Sequence, residues 1–397
     1  MTALNIVLNA GSSSLKFQVF DAGVEPGTPL CRGLFEGLAG DGTAHFVARD
    51  GRGETVGEER WQAAGGGHDE ALRRLIAWLR DRFAGASLAG VGHRVVHGGP
   101  DFEGPVLVDP GVVDDLERFV ALAPLHQPHN LRPIRFALEA LPGVRQVASF
   151  DTAFHRTQPE LAQLFAIPRA MTEQGVRRYG FHGLSYEYIA SVMGEYDPAL
   201  AKGRVVVAHL GNGASACALR GGVSVASTMG FSALDGLMMG TRCGSLDPAV
   251  VFYMLREMKL TPDAAEKMLY SQCGLLGVSG LSNDMRTLRA KEAGEPHARE
   301  AIALYVYRIV REVGSLAAAL GGLDGLIFTA GIGENDAATR AAVLDGLAFL
   351  GLRADPDANA AGGPRITGGP GPSAWVIPTN EELVVARHMR ALIGNAA

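Results

Sequence analysis

Two arginines stand where a positive charge is expensive to keep. Arg94 lies inside the apolar run VGHRVVHGG, and Arg242 in the glycine-flanked MMGTRCGSLDP. A guanidinium drawn out of water needs an anion, so each is either half of a structural ion pair or a receptor for an anionic ligand. Asp151 closes the apolar segment VASFDTAF. Sites in open α/β sheets assemble at the carboxyl ends of strands, although an aspartate there serves equally as a helix cap. His182 in RRYGFHGLSYEYI and His209 in VVVAHLGNG each border a glycine, which lets a ligand come close.

Three glycine or serine turns could hold phosphate. Asn9-Ala-Gly-Ser-Ser-Ser-Leu-Lys16 offers backbone N–H groups, hydroxyls and a lysine charge. It is not a GxxxxGK[ST] loop, since the segment after it reads as a strand; a polar hairpin turn is the alternative. Gly211-Asn212-Gly213-Ala-Ser-Ala216 has the GxGxxA spacing of a dinucleotide site. That site requires a helix N-terminus after the glycines, whereas SACALRGGVSVAS reads as a hairpin, so a phosphate turn and a plain hairpin both stay open. Gly331-Ile332-Gly333-Glu334-Asn335 falls between an apolar strand and a helix, either a ligand turn or a simple connection. HExxH and CxxC spacings are absent, which argues against a protein-held zinc.

These residues need a large scaffold, and 397 residues favour two domains. Hydrophobic residues at 47% and charged residues at 20% suit packed cores and argue against general disorder. A net charge of -6 without a dense basic run argues against nucleic acid as a partner. Cys31, Cys217, Cys243 and Cys273 are scattered and read as reduced thiols of a cytosolic protein. No apolar run is long enough for a membrane span and no basic leader is evident. The 52 glycines, nearly double the usual share of about 7%, announce many turns.

The pattern along the chain alternates strands and helices. Strands are expected at 4–9, 15–20, 31–37 and 44–50, a helix from His68, and a buried strand at 89–99. Helices near Gly111–Leu122 and Pro128–Leu141 and a strand at 144–151 come next. The segment 204–228 then repeats strand, turn, strand, turn, strand, with Gly11 matching Gly211, a faint internal duplication. A helix at Ala298–Leu320, a strand at 325–331, a helix at Ala337–Leu347, a strand at 374–378 and a helix from Glu381 complete it. Linkers are expected near 22–30, 50–67 and 362–372. Met238, Met239 and the aromatics of 252–253 and 305–307 read as core.

Taken together, NAGSSSLK (9–16), GHRVVHGG (92–99), FDTAFH (150–155), RRYGFHGLSYEY (177–188), HLGNGAS (209–215), MGTRCGSLDP (239–248), SNDMR (282–286), TAGIGEN (329–335) and PTNEE (378–382) resemble the acetate kinase family. The match runs in order along the whole chain. It implies an α/β fold of two duplicated βββαβα domains, ribonuclease H-like and actin-like, with a nucleotide cleft between them. The first would span 1–151, with a helix of about 381–397 packed back on it, and the second 152–380. The implied activity is reversible phosphoryl transfer from ATP to acetate in a cytoplasmic homodimer that uses Mg²⁺ or Mn²⁺.

Carried over by position, the resemblance makes Asp151, His182 and Arg242 catalytic, and places Arg94, Val96 and Leu125 around acetate, with Phe231–Ala233 completing the acyl pocket. Ala233 departs from the proline of some members. Lys16, His209, Leu210, Gly211, Asn212, Gly213, Asp284, Met285, Arg286, Gly331, Ile332, Gly333, Glu334 and Asn335 would meet the nucleotide. Asn9 and Glu381 would serve the metal, with Glu382 the alternative to Glu381. Two other readings remain. A propionate or butyrate kinase would differ in acyl-pocket volume. A nucleotide-driven binding protein of the same superfamily would not need the Arg94/Arg242 pair.

Overall fold

The computed structural model describes residues 2–40, 42–63, 67–123 and 126–394. Two compact units divide it: residues up to Phe154 together with those from Asn380 on, and His155–Thr379.

The first unit holds an eight-stranded sheet of β1 (Ala3–Ala10), β2 (Leu15–Asp21), β3 (Cys31–Glu36), β4 (Thr43–Asp50), β5 (Thr55–Gln62), β6 (Ser87–Val95), β7 (Val106–Leu107) and β8 (Arg145–Phe150). Its order is β5-β4-β3-β2-β1-β6-β8-β7. Strands β1 to β5 form an antiparallel meander, whereas β6 runs parallel to both β1 and β8. β1 is apolar almost throughout because both of its faces are covered. On one face the helices Gly67–Arg82 and Gln127–Ala140 pack over Ile6, Leu8 and Val91. On the other lies the helix Glu381–Ile393. A Cβ on Gly92 would stand 2.6 Å from Met389 Sδ and from Val385 Cγ1, so glycine there lets that helix approach the sheet.

The second unit repeats the pattern in β9 (Arg204–Leu210), β10 (Ala214–Arg220), β11 (Val223–Ser227), β12 (Gly325–Thr329) and β13 (Ser373–Val376), ordered β11-β10-β9-β12-β13. Without β4, β5 and β7, the first sheet reads β3-β2-β1-β6-β8. Each unit is thus an antiparallel three-strand meander continued by two parallel strands, and the fold is duplicated as the aligned glycine turns suggested. The 25-residue helix Pro296–Leu320 crosses β9, β10 and β11.

Several expectations need correction. The expected linker at 50–67 contains β5, a solvated edge strand whose Glu58, Glu59 and Arg60 give it a loop-like composition. β6 ends at Val95 rather than 99, because the ladder stops before the glycines. β12 stops at Thr329, and Ala330–Asn335 is itself a short helix rather than a turn. Of the aromatics read as core, Tyr305 is buried, but Phe252, Tyr253 and Tyr307 are more than half exposed. The helix Pro248–Arg256 buries only Met254.

Candidate active site

In the first unit, the site residues gather where β1, β6 and β8 end. Asn9 and Lys16 face each other across the β1–β2 hairpin. Its turn closes with the Gly11 N–H donating to the Ser14 carbonyl at 2.9 Å. His68, from the first turn of its helix, braces the turn through Nε2, 2.8 Å from the Gly11 carbonyl. Arg94 projects from β6, and Asp151 comes directly after β8.

Arg94 and Asp151 form a bidentate pair, Nε to Oδ1 at 3.0 Å and NH2 to Oδ2 at 2.6 Å. Arg94 NH1 also donates to Asn9 Oδ1 at 3.1 Å. A guanidinium has five N–H groups, so these contacts leave two. The Asp151 side chain is 2% exposed and that of Arg94 21%. Burial opposes the charge on Arg94, but Asp151, Glu381 and Glu382 outweigh it and raise its pKa. Asp151 therefore spends its carboxylate on Arg94 instead of capping a helix.

Glu381 and Glu382 open the helix Glu381–Ile393, where Asn380 Oδ1 accepts the Leu383 N–H and the helix dipole favours negative charge. Glu381 Oε2 lies 3.7 Å from Arg94 Nε, while Glu382 Oε1 accepts from Asn9 Nδ2 at 3.2 Å. Burial pushes the Glu381 carboxyl up to about 7; Arg94 opposes the rise, and Asp151 and Glu382 add to it. Three carboxylates thus crowd one guanidinium and Lys16, an excess of negative charge suited to a divalent cation. Among the described residues no cluster of three His, Cys, Asp or Glu forms a ready cage. Mg²⁺ fits that situation, because it usually takes one or two protein carboxylates and fills its shell with water and phosphate oxygens.

Val96 is buried just past β6, its N–H bonded to Asn130 Oδ1 at 2.9 Å. Leu125 lies outside the described residues.

In the second unit, β9 delivers His209 and Leu210 to the turn Gly211-Asn212-Gly213. There the Gly211 N–H donates to the Gly213 carbonyl at 3.0 Å, and β10 continues as the hairpin partner. A dinucleotide-type helix is thereby excluded. His182 caps the helix Gly183–Tyr196 in a left-handed conformation, φ +58°, uncommon for a residue with a Cβ. Its ring stacks on His209 with centroids 4.2 Å apart, and its Nδ1 sits 2.8 Å from Ser215 Oγ. His209 Nδ1 is likewise 2.8 Å from Ser185 Oγ. Arg242 NH1 donates to the Ala233 carbonyl at 2.6 Å. A Cβ on Gly213 would meet Arg242 NH2 at 2.8 Å and His182 Nε2 at 3.4 Å. Both cationic or polar tips therefore converge over Gly213, where a Cβ would oblige the Arg242 guanidinium to shift.

Beside this point opens a cavity of about 950 Å³ lined by Gly211, Asn212, Asp284, Met285, Arg286, Gly331, Ile332 and Asn335. Sequence reasoning missed Asn283, Arg289 and Asp336, which complete its wall. Asn283 is visible only through its bond to Asn212 Oδ1, and Arg289 through its pair with Asp336 at 3.2 Å. Asp284 caps the helix Met285–Lys291. Burial works against its charge, yet bonds from Arg286 and Thr287 hold its carboxyl below the usual range. Gly331 faces open space. His209, Leu210, Gly213, Gly333 and Glu334 stand off the cavity wall. Glu334 Oε1 instead accepts the N–H groups of Ala330 and Thr379, which holds the helix Ala330–Asn335 in place.

Two copies of one βββαβα unit place the molecule in the class of duplicated actin-like α/β folds. Within that class the chain belongs to the Acetokinase family, whose model matches residues 4–387. It is 53% identical over 395 residues to an acetate kinase of Rhodopseudomonas palustris (strain TIE-1), covering 98% of each chain. A solved propionate kinase from Francisella tularensis superposes with a TM-score of 0.92 at 35% identity, over 98% of this chain and all of that one. The Porphyromonas gingivalis acetate kinase gives 0.87 at 35% identity over the same shares.

Proposed function

We propose that the protein transfers the γ-phosphoryl group of ATP directly to acetate, giving acetyl phosphate and ADP in a reversible reaction. The observation that carries this reading is the convergence of Arg242 and His182 over Gly213, beside a cavity of nucleotide size in a chain of the Acetokinase family.

Acetate resembles the carboxylates of Asp and Glu, with a pKa of about 4, so at neutral pH its oxygen attacks without a strong base. That oxygen bonds to the γ-phosphorus as the bond to the β,γ-bridging oxygen breaks, and the electron pair leaves on ADP. The protein's task is alignment and charge on the equatorial oxygens. Arg242 and His182 donate to those oxygens. The two N–H groups of Arg94 not used by Asp151 and Asn9 hold the acetate carboxylate, and Asp151 fixes the guanidinium plane. Val96 bounds the methyl group. The turn Gly211–Gly213, Asp284–Arg286 and Gly331–Asn335 hold the nucleotide, with Lys16 at its phosphates. Glu381, Glu382 and Asn9 would hold Mg²⁺ through its water shell, and the ion would neutralise charge on the β- and γ-phosphates. The molecule acts as a cytoplasmic homodimer in this reading.

Trapping the acyl phosphate as its hydroxamate, with acetate, propionate or butyrate and MgATP, tests both activity and acyl length. Acetate should give the highest kcat/KM. Absence of product with all three acids would overturn the activity; a preference for propionate would replace acetate as the substrate.

A further inference from the structure

The first sheet splits between its two central strands. β1 and β6 pair in parallel from Ala3 opposite Ser87 to Leu8 opposite His93, and there the ladder ends. Neither strand has finished. β1 goes on pairing with β2 through Asn9 and Ala10, and β6 with β8 through Arg94 and Val95, after which the Asp151 N–H donates to the Val95 carbonyl at 3.0 Å. The gap thus opens at the pair of residues, Asn9 and Arg94, that carries the polar cluster. Backbone groups at the mouth of such a gap lose their ladder partners and need substitutes.

A side chain supplies them. Asn130, 3% exposed in the first turn of the helix Gln127–Ala140, donates from Nδ2 to the Ala10 carbonyl at 2.9 Å and accepts the Val96 N–H at Oδ1, also at 2.9 Å. One amide group therefore stands in as a rung between β1 and β6 and holds them apart. Gln127, three residues earlier on the same helix face and wholly buried, makes no such bridge but fixes the next residue of the β6 segment. Its Oε1 accepts the His97 N–H at 3.2 Å and its Nε2 donates to the His97 carbonyl at 3.0 Å. Both amides act on the segment just past Arg94.

We infer that Asn130 is a positioning residue for the acid substrate: its amide sets the width of the gap between Ala10 and Val96, and with it the placement of Arg94 and Val96 toward the carboxylate and the acyl chain. This rests on the acetate-kinase reading of the same site. Asn130 touches no reacting atom, and its effect falls on the acid rather than on the nucleotide, whose cavity is lined by the other unit.

Asn130→Ser and Asn130→Asp, made in the full chain, test it. Serine leaves a neutral hydroxyl able to serve one of the two backbone groups. Aspartate keeps the acceptor for Val96 but sets an acceptor against the Ala10 carbonyl. Loss of one charge-free hydrogen bond corresponds to about a tenfold change, so KM for acetate should rise about tenfold in both. KM for MgATP should stay within about twofold, and the propionate-to-acetate ratio of kcat/KM should rise. An unchanged KM for acetate, or equal changes in the two KM values accompanied by a lowered Tm, would overturn the assignment by making Asn130 merely structural. If neither variant folds, amide exchange in the wild-type protein decides: the Val96 N–H should exchange as slowly as the amides of the β6 ladder, and fast exchange would refute the rung. Wild-type protein that makes no acyl phosphate refutes the activity; active wild type with unaltered variants refutes Asn130 alone.

Discussion

The two units share a topology and end their central parallel pairs in the same way, but fill the resulting gaps differently. In the first, β1 and β6 part after Leu8 and His93, and the mouth is held by the Asn130 side-chain amide and lined by Arg94, Asp151, Glu381 and Glu382. In the second, β9 and β12 part after His209 and Thr329. The backbone turns there through Ala330 at φ +65° into the helix Ala330–Asn335, and a cavity opens beside it. The topology makes a crevice at the strand ends in both copies. The segments that leave the strand ends make the two crevices unlike: charged side chains border one and glycine-rich backbone the other. The arginines differ in the same sense, with Arg94 locked to a buried carboxylate and Arg242 carried on a loop against a carbonyl.

That contrast breaks most sharply at Arg242. Arg242→Lys keeps the charge but loses the planar fork, and an arginine stabilising a transferring phosphoryl group is worth about 10³ or more in rate. Steady-state kinetics should show kcat lowered by about that factor with Tm nearly unchanged. Near-normal turnover would make Arg242 structural and erase the difference from Arg94.

Arg94→Leu should behave in the opposite way. It leaves Asp151 as a buried unpaired charge, at a cost of about 3–5 kcal/mol. Denaturant unfolding should show a loss of that order together with loss of activity. A stable but inactive variant would show that the pair is replaceable as structure and matters for binding alone.

Acid should act on the first unit, where burial holds the pKa of two histidines low. Burial lowers His93 to about 4, although its Nε2 bonds Gln146 Oε1 at 2.7 Å, and lowers His97 to about 3. Both values lie below the unfolded value near 6.5, so the unfolded chain binds more protons in that range. The stabilisation is complete above pH 6.5 and lost as pH falls toward 4. For His93 alone it is on the order of 3 kcal/mol. Unfolding free energies at pH 7.5 and 5 should differ in the wild type and differ less in His93→Gln; equal slopes would mean that His93 does not titrate with unfolding.

The smallest effect belongs to the acyl pocket. Val96→Ala removes two methyl groups, and one methylene of discrimination is worth about 1–3 kcal/mol. The propionate-to-acetate ratio of kcat/KM should rise by about tenfold. An unaltered ratio would remove Val96 from the acyl wall and leave the first crevice defined by its charges alone.

The alternation of strands and helices, the duplicated glycine turns and the family were all legible in the chain, because apolar periodicity and turn residues are local and the motif blocks run in order. Arg94, Arg242 and Asp151 were marked as well, since a charge in an apolar run is visible without coordinates. β5 was misread, because its polar composition reflects an edge position, and so was the extent of β12, where Ala330 leaves the strand through a left-handed backbone that alanine rarely adopts. It took the folded molecule to pair Arg94 with Asp151, 57 residues away, to turn Glu334 toward bracing its helix rather than lining the cavity, and to bridge Ala10 and Val96 through Asn130. Those partners are set by strand order and helix docking, and hydrogen bonds between distant residues leave no periodic trace in the chain.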